Sequence, residues 1–552
     1  AGSACIAWNA SDTRMERRKL TIWVLLPLLL ALTLVFGIWL GSRLRTDQRS
    51  MPGLFLLRGT SPSDKLGEVI DLVDRQYVDS VRTEELVDGV LQDLLQRLDP
   101  HSYYISAREL QAAQEPLEGS FEGIGVEFAI QRDTIVVIAP VDGGPSAAKG
   151  IRAGDRILKA DSTELAGKGI TNDDVMKALR GEGGSEVTME ILRGGRPKPF
   201  EVTVTRGKIP INSVATALVT PDGTGFIKLS RFARTSHEEV LKAAAELKAK
   251  GMKRLVLDLR GNGGGYLDAA TDLADEFLPE GRMIVYTEGR THPRKDHVAT
   301  AQGTLENIPL AVLIDEGSAS ASEIIAGAIQ DNDRGVIVGR RSFGKGLVQE
   351  HIPLPDHSAV RITTARYHTP SGRCIQRPYG EGIDYGDELE QRYDHGELLN
   401  ADSAHIDSSE VFTTLNGRKV YGSGGIMPDV FVPADTTEGS GYLSELYFSG
   451  ALNQFAFDVA DRDRERLKRY GSAAAFNAQY VVGPEMLQRL RSYAEGQGVR
   501  SPAPESERTK RSVAMRLKAG IARNVWGSEA FYAIMLDADS AFQKARASVV
   551  KP

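Results

Sequence analysis

Four short apolar runs constrain this chain most: Gly225-Phe-Ile-Lys-Leu229, Arg254-Leu-Val-Leu-Asp-Leu259, Leu310-Ala-Val-Leu-Ile314 and Gly335-Val-Ile-Val338. Runs this short and apolar read as buried strands. Helical runs separate them, including 237–248 and 322–330, so the region from Ile211 to about Arg377 reads as α/β. Two strand ends carry unusual loops. Asp258-Leu-Arg-Gly-Asn-Gly-Gly-Gly265 brings three successive glycines, which let the backbone approach a ligand closely. Ser318-Ala-Ser-Ala-Ser322 is a run of small residues just before a helix, and Ser342-Phe-Gly-Lys-Gly346 frames a lysine with glycines.

The 552 residues exceed one hydrophobic core, so three or more folding units are expected. A formal net charge of −7 argues against a nucleic-acid binder, which would show a basic face. The nine histidines are scattered and no His-Glu-x-x-His or Walker-type loop occurs, so no metal and no cofactor is expected. Cys5 and Cys374 are the two cysteines and are not expected to pair.

Thr21 to Leu40 carries no charge for twenty residues, about the length that crosses a hydrocarbon core of roughly 30 Å as a helix. Arg14, Arg17, Arg18 and Lys19 precede it, which by the positive-inside rule puts residues 1–20 in the cytoplasm and the bulk of the chain outside. A cleaved secretory signal is the alternative, but the run is too long for one and no clear Ala-x-Ala site ends it. Met15-Glu-Arg-Arg-Lys-Leu20 has the form of a charged leader start, which makes Met15 an alternative first residue.

Residues 41–63 read as a linker, and 64–117 as a helical region with apolar residues at helical spacing (Leu66, Val69, Ile70, Val73, Tyr77, then Leu86, Val90, Leu94). Leu98-Asp-Pro-His-Ser ends the second helix; Asp99 and His101 are read there as capping and bracing residues. From 118 to 209 short strands alternate with glycine turns: 123–128, 134–139, 156–160, 186–192 and 200–205, with a helix from about Asn172 to Arg180. With its Gly-x-Pro…Gly-Ile…Ala-Gly-Asp-x-Ile-Leu segment, this region resembles a PDZ domain. Such domains add a peptide C-terminus as a strand and hold its carboxylate on loop amides. The expected contacts are the loop and strand Gly123, Ile124, Gly125 and Val126, with Val175 and Leu179 lining the groove from the helix. The α/β core is assigned 210–435, and 436–552 a mostly helical accessory extension.

Amide hydrolysis needs a nucleophile, a base and oxyanion donors. Ser320, central in the small-residue run, is the expected nucleophile; Ser318 and Ser322 are its rivals, the latter well placed as a helix N-cap. The Ala321 N–H and a glycine N–H, Gly264 or nearly as well Gly263, are the expected oxyanion donors. Lys345 is the expected base, provided burial lowers its amine from about 10.4. Gln349 is the expected orienting residue. Extended backbone would part the two Cα atoms by roughly 13 Å, so this role is expected to require a turn at 346–348. His237, His351 and His368 are the histidines a Ser-His-Asp arrangement would draw on, and Asp331 is read as a structural partner.

Over about 65–435, these motifs together resemble the carboxyl-terminal processing, or tail-specific, serine peptidases. The resemblance implies Ser320 as nucleophile, Lys345 as general base and Gln349 as third residue, on a core of crotonase/Clp-like spiral type. It further implies a bacterial envelope enzyme of periplasmic action, free of metal and cofactor, that selects protein substrates by their C-termini through the PDZ domain. Arg180 and Arg193 are candidate gating contacts, and a homodimer or an adaptor through the terminal regions stays open. The competing readings are a membrane-tethered PDZ scaffold with an inactive peptidase domain and an acyl-CoA enzyme of crotonase type.

Overall fold

The computed structural model describes residues 31–39, 61–131, 133–141, 143–152, 154–194, 196–380, 382–383, 385–403, 410–422, 424–435, 441–501 and 506–550. Two compact units divide the chain, Ala1–Val87 and Asp88–Pro552. In the first, Ser61 caps helix α1 (Pro62–Gln76) with a capping box to Asp64, and helix α2 (Thr83–Gln96) begins. Most of the expected anchor at 21–40 and of the linker at 41–63 lies outside the described residues. Of the anchor, 31–39 are described, as exposed helix. Among the described residues no helix is long and apolar enough to cross a membrane.

The second unit opens with strand β1 (Tyr103–Ile105) and helix α3 (Ala107–Glu118), closed by Gly119 at φ 75°. Strand β2 (Ser120–Gly123) follows, then a six-stranded antiparallel sheet whose main path runs β3 (Val126–Ile130), β4 (Ile135–Pro140), β5 (Arg156–Ala160), β6 (Glu186–Leu192) and β7 (Phe200–Thr205), with the two-residue strand Thr163–Glu164 off this path on β5 and helix α4 (Asn172–Leu179) before β6. Strand β8 (Gly207–Pro210) pairs back onto β2, which ties the entry of this domain to its exit. The expected single strand 123–128 is split by Ile124 and Gly125, where Gly125 takes φ 73°.

The α/β core is built on a six-stranded sheet. Its order is β9 (Val214–Val219), β10 (Thr224–Leu229), β11 (Arg254–Asp258), β13 (Leu310–Ile314), β14 (Val336–Gly339) and β17 (Val430–Phe431). All pairs but β9–β10 are parallel, and helices α5 (Ser236–Ala249), α6 (Leu267–Asp275) and α7 (Ala321–Asp331) lie in the crossovers. Successive strand residues point to opposite faces: Ile227, Leu257 and Val312 pack with Val240, Leu273 and Ile325 of the helices. Phe226, Val256 and Leu313 face the other way, onto Phe542 and Val549 at the C-terminal end. The last helix, Ser540–Ser548, therefore completes the core, which corrects its reading as a merely accessory segment. The rest of the extension is helical from Gly441–Phe448 onward, as expected, with its own apolar cluster.

A second sheet was not expected from the sequence. Strand β16 (Ala359–His368) pairs with β1, with β12 (Met283–Glu288) and with β15 (Leu347–Pro353). Its Arg361 and Tyr367 line the same cavity as Ser320.

Candidate active site

Strand β13 ends at Ile314, and a short loop delivers Ser320 to the N-terminus of α7. Ser320 takes φ 56° and ψ −113°, a conformation that side chains avoid and that costs about 1–3 kcal/mol. Two groups hold it there. Glu323, one turn on, accepts the Ser320 N–H at 2.8 Å, and the Tyr367 hydroxyl donates to the Ser320 carbonyl at 3.2 Å. The rival serines are engaged: Ser318 Oγ donates to Leu259 O and Ser322 Oγ to Asn262 O, each at 2.8 Å. Ser320 itself is the cap residue, so Ser322 lies inside the helix and is not the N-cap expected of it. Ser320 Oγ faces the Glu323 N–H in a capping box, donates no hydrogen bond among the described residues, and lines a cavity of about 370 Å³ together with Lys345 and Gln349.

Glu323 is the residue that joins the two sides. Fully buried, its carboxylate also accepts Ser342 Oγ, Gly344 N–H at 2.7 Å and Lys345 N–H at 2.9 Å. Burial pushes the carboxyl up to about 7, against the pull of these four donors. Tyr367, 1% exposed, likewise reaches both sides: its hydroxyl donates to Lys345 O at 2.7 Å as well as to Ser320 O. Burial holds that phenol well above its ordinary value, so it stays protonated.

Burial, and then the Arg361 cation, lower the Lys345 amine to about 8, opposed by Glu323 and Asp99. Lys345 Nζ donates to Gln349 Oε1 at 2.8 Å. The far end of Gln349 fixes its orientation, because Nε2 donates to the His101 carbonyl, which can only accept. No helical turn makes this contact, contrary to expectation. Gln349 lies in strand β15, where the ladder is irregular between Val348 and Gln349, and two long side chains span the gap. Asp99 in turn caps the His101 and Ser102 N–H groups at 2.8 Å, so the Asp99–Ser102 turn braces Gln349.

The glycine loop lies against Ser320. A Cβ on Gly264 (φ 98°) would stand 2.9 Å from Ser320 Cβ and 3.0 Å from Ala321 N. The Gly264 N–H, however, donates to Asn262 Oδ1 at 2.9 Å, so the expected oxyanion role of Gly264 needs correction. Gly263 and Gly265 line the cavity on either side, are exposed, and their N–H groups have no partner among the described residues. Ala321 N–H, at the first position of α7, is also unpaired there. From behind, Arg260 binds both Asp258 and Asp539, the cap of the last helix, each at 2.7 Å.

The histidines do not build a second arrangement. His237 is bound to Glu276, and His368 to Gly372 O. His351 lines the cavity but is bound to Gln114. Asp331 is structural, holding Arg373, Thr369 and Ser371. Cys374 is free, and Cys5 lies outside the described residues.

In the PDZ domain, Gly123, Ile124, Gly125 and Val126 make the loop and strand start, and the Ile124 and Gly125 N–H groups are unpaired among the described residues. Ile124, Val175 and Leu179 are buried in one cluster, at 2, 0 and 4% exposure, and so do not form an open groove in this structure. Arg193 is committed within the domain to Asp155 and Gly150 O. Arg180 pairs with Glu115 of α3 and stacks on Phe121. The sequence reading missed Glu323, Tyr367 and the role of the Asp99–Ser102 turn; their only signal was position beside the motifs.

Residues 223–385 match peptidase family S41, 123–204 match the PDZ domain, and 442–527 match a family of unknown function. The carboxy-terminal-processing protease of Bartonella bacilliformis is 37% identical over 317 residues, covering 56% of this chain and 72% of its own. The carboxyl-terminal-processing protease of Synechocystis is 34% identical over 55% of this chain and 72% of its own. Carboxy-terminal processing protease CtpB of Bacillus subtilis is 33% identical over 57% of this chain and 65% of its own. Among solved structures, a photosystem II D1 C-terminal processing protease matches 68% of this chain and 95% of its own at 27% identity and a TM-score of 0.34. This chain belongs to peptidase family S41, among the carboxy-terminal processing proteases, and is a serine-type endopeptidase with a PDZ domain.

Proposed function

We propose that the peptidase works through a Ser320–Lys345 dyad oriented by Gln349. One observation carries the reading: of the three serines in the run, only Ser320 keeps its hydroxyl proton undonated among the described residues, and it shares its cavity with a buried lysine of lowered basicity. The Lys345 amine gives one N–H to Gln349 and keeps its lone pair for the Ser320 proton. Transfer requires Nζ to come within hydrogen-bond reach of Oγ. That movement belongs to the flexible lysine arm, since Glu323 and Tyr367 hold the backbone at both residues.

Deprotonated Ser320 Oγ attacks the peptide carbonyl, and the oxyanion is met by the N–H of Ala321 and of Gly263 or Gly265. The Lys345 ammonium then returns its proton to the leaving amine, and an acyl ester on Ser320 remains. Water, deprotonated by Lys345, hydrolyses that ester and regenerates the hydroxyl. Ile124 and Gly125 amides hold the carboxylate of the protein substrate's C-terminus. The charge-free run 21–40, behind four basic residues, supports an anchor in a bacterial inner membrane with the peptidase on the periplasmic side.

A serine-directed phosphonate labels Ser320, and Ser320→Ala abolishes the adduct; an adduct on another residue sinks the dyad. Because the amine acts when neutral, kcat/KM rises with pH through about 8 and levels above it. A rate flat from pH 6 to 10 contradicts the lysine base. Retention in the membrane pellet after alkaline carbonate washing tests the anchor, and release into the supernatant removes it.

A further inference from the structure

The catalytic cavity is cationic. Lys345, His351 and Arg361 line it, and among the described residues no aspartate or glutamate does. Lys345 acts as a neutral amine, and burial and Arg361 hold His351 below its ordinary value. Arg361 is therefore the permanent charge. It stands on β16, opposite Tyr103 of β1 on one side and His351 of β15 on the other. Its Nη1 donates to the Tyr103 hydroxyl at 2.8 Å, and its guanidinium stacks over that ring at 5.3 Å. A guanidinium carries five N–H donors, and among the described residues this one has no carboxylate partner.

Other arginines of the core are paired with carboxylates or, like Arg334, filled by backbone carbonyls. Arg340 is paired with Glu316, Arg341 with Glu397, Arg373 with Asp331, Arg377 with Glu388 and Arg260 with Asp258. The one that lines the catalytic cavity is left with its fork unfilled. A planar fork of N–H donors is matched by a carboxylate, in two parallel charge-assisted bonds. The substrate is the partner of that chemistry which reaches this cavity.

We propose that Arg361 anchors a peptide-carboxylate subsite inside the catalytic cavity and makes the enzyme prefer substrates with a carboxylate close to the scissile bond. The carboxylate comes either from an acidic side chain or from the α-carboxylate of a peptide cut near its end. This deepens the Ser320–Lys345 reading and rests on it.

The test uses the full-length protein and matched peptides that differ only by Asp or Asn at each position flanking the cut, each as free acid and as amide. kcat/KM is measured at pH 9.5 for the wild type, Arg361→Gln and Arg361→Lys. At one position, or in the acid–amide pair, the wild type favours the carboxylate about ten-fold or more. Arg361→Gln brings that ratio to within about two-fold of unity, and Arg361→Lys, which keeps charge without the fork, falls between. The position at which the ratio collapses names the source. A wild-type ratio near one for every pair overturns the subsite even if the variants fail to fold. So does a ratio that survives intact in Arg361→Gln, which assigns the carboxylate to another site such as the PDZ loop. Cleavage undiminished in Ser320→Ala strikes at the dyad instead, and is thereby told apart from loss of the ratio.

Discussion

The catalytic cavity and the PDZ domain both place glycine-rich loops at strand ends, yet they are held in opposite ways. Around Ser320 the polar groups are committed in advance: Glu323 and Tyr367 each reach both Ser320 and the lysine loop, and His101 orients Gln349. In the PDZ domain the loop amides of Ile124 and Gly125 are unpaired among the described residues, while the apolar side chains beside them are packed shut. The backbone at Ser320 and Lys345 is thus fixed in advance, whereas the apolar cluster of Ile124, Val175 and Leu179 is closed on itself. Orienting a catalytic group demands fixed hydrogen bonds; an apolar pocket can close on itself when empty.

The sharpest separation of the two regions is Lys345→Met, which keeps the buried stem and removes the amine. Loss of about 10⁴-fold or more in kcat is expected, while affinity for a peptide C-terminus stays within two-fold by calorimetry. A parallel loss of affinity would mean that the two sites are not separable. Glu323→Gln is next. An amide put in place of the carboxylate faces N–H donors from Ser320, Gly344 and Lys345 with one NH₂ of its own. Each buried donor left unpaired costs about 1–3 kcal/mol, so kcat/KM falls by about 10²–10³ and the melting temperature drops. Peptide capture is again spared. The wild-type rate also steepens its decline below about pH 7, where protonation of Glu323 removes a lone pair; the variant loses that second limb.

The sequence made Ser320 and Lys345 readable because their neighbours are locally odd: alternating serines and alanines in one case, flanking glycines in the other. Strands 156–160, 186–192 and 200–205 were legible to the residue, since clear alternation and turn residues bound them. The partners that hold the site come from far away. Tyr367 lies 47 positions from Ser320, and His101 lies 248 from Gln349. Tyr367 belongs to the second sheet, whose half-buried strands mix apolar and charged residues and carry no clean period, and His101 to the turn that enters it. Glu323 drew no role from the sequence, because the lysine loop that buries it lies 22 residues on. The spacing of Val175 and Leu179 showed an apolar helix face but not whether core or ligand covers it.

Tyr367→Phe tests how tightly the preformed side must be held. The ring still fills its place in β16, and two hydrogen bonds to carbonyls are lost. A fall of about 10- to 100-fold in kcat with KM little changed is expected, since the misplacement concerns reacting groups alone. An equal rise in KM would show that the phenol serves binding.

The smallest effect belongs to the capture side. Gly125 takes φ 73° in the loop expected to hold the carboxylate, and a Cβ there would stand 2.8 Å from Ile209 Cδ1. Left-handed backbone costs a non-glycine residue about 1–2 kcal/mol, and the Ile209 side chain must give as well. Gly125→Ala therefore turns the two loop N–H groups off their axis without touching the catalytic cavity. Affinity for a free peptide C-terminus is expected to fall about 3- to 10-fold, with kcat at saturating peptide unchanged. If kcat falls instead, the loop and the dyad move together, and a ligand that opens the PDZ cluster also reshapes the cavity.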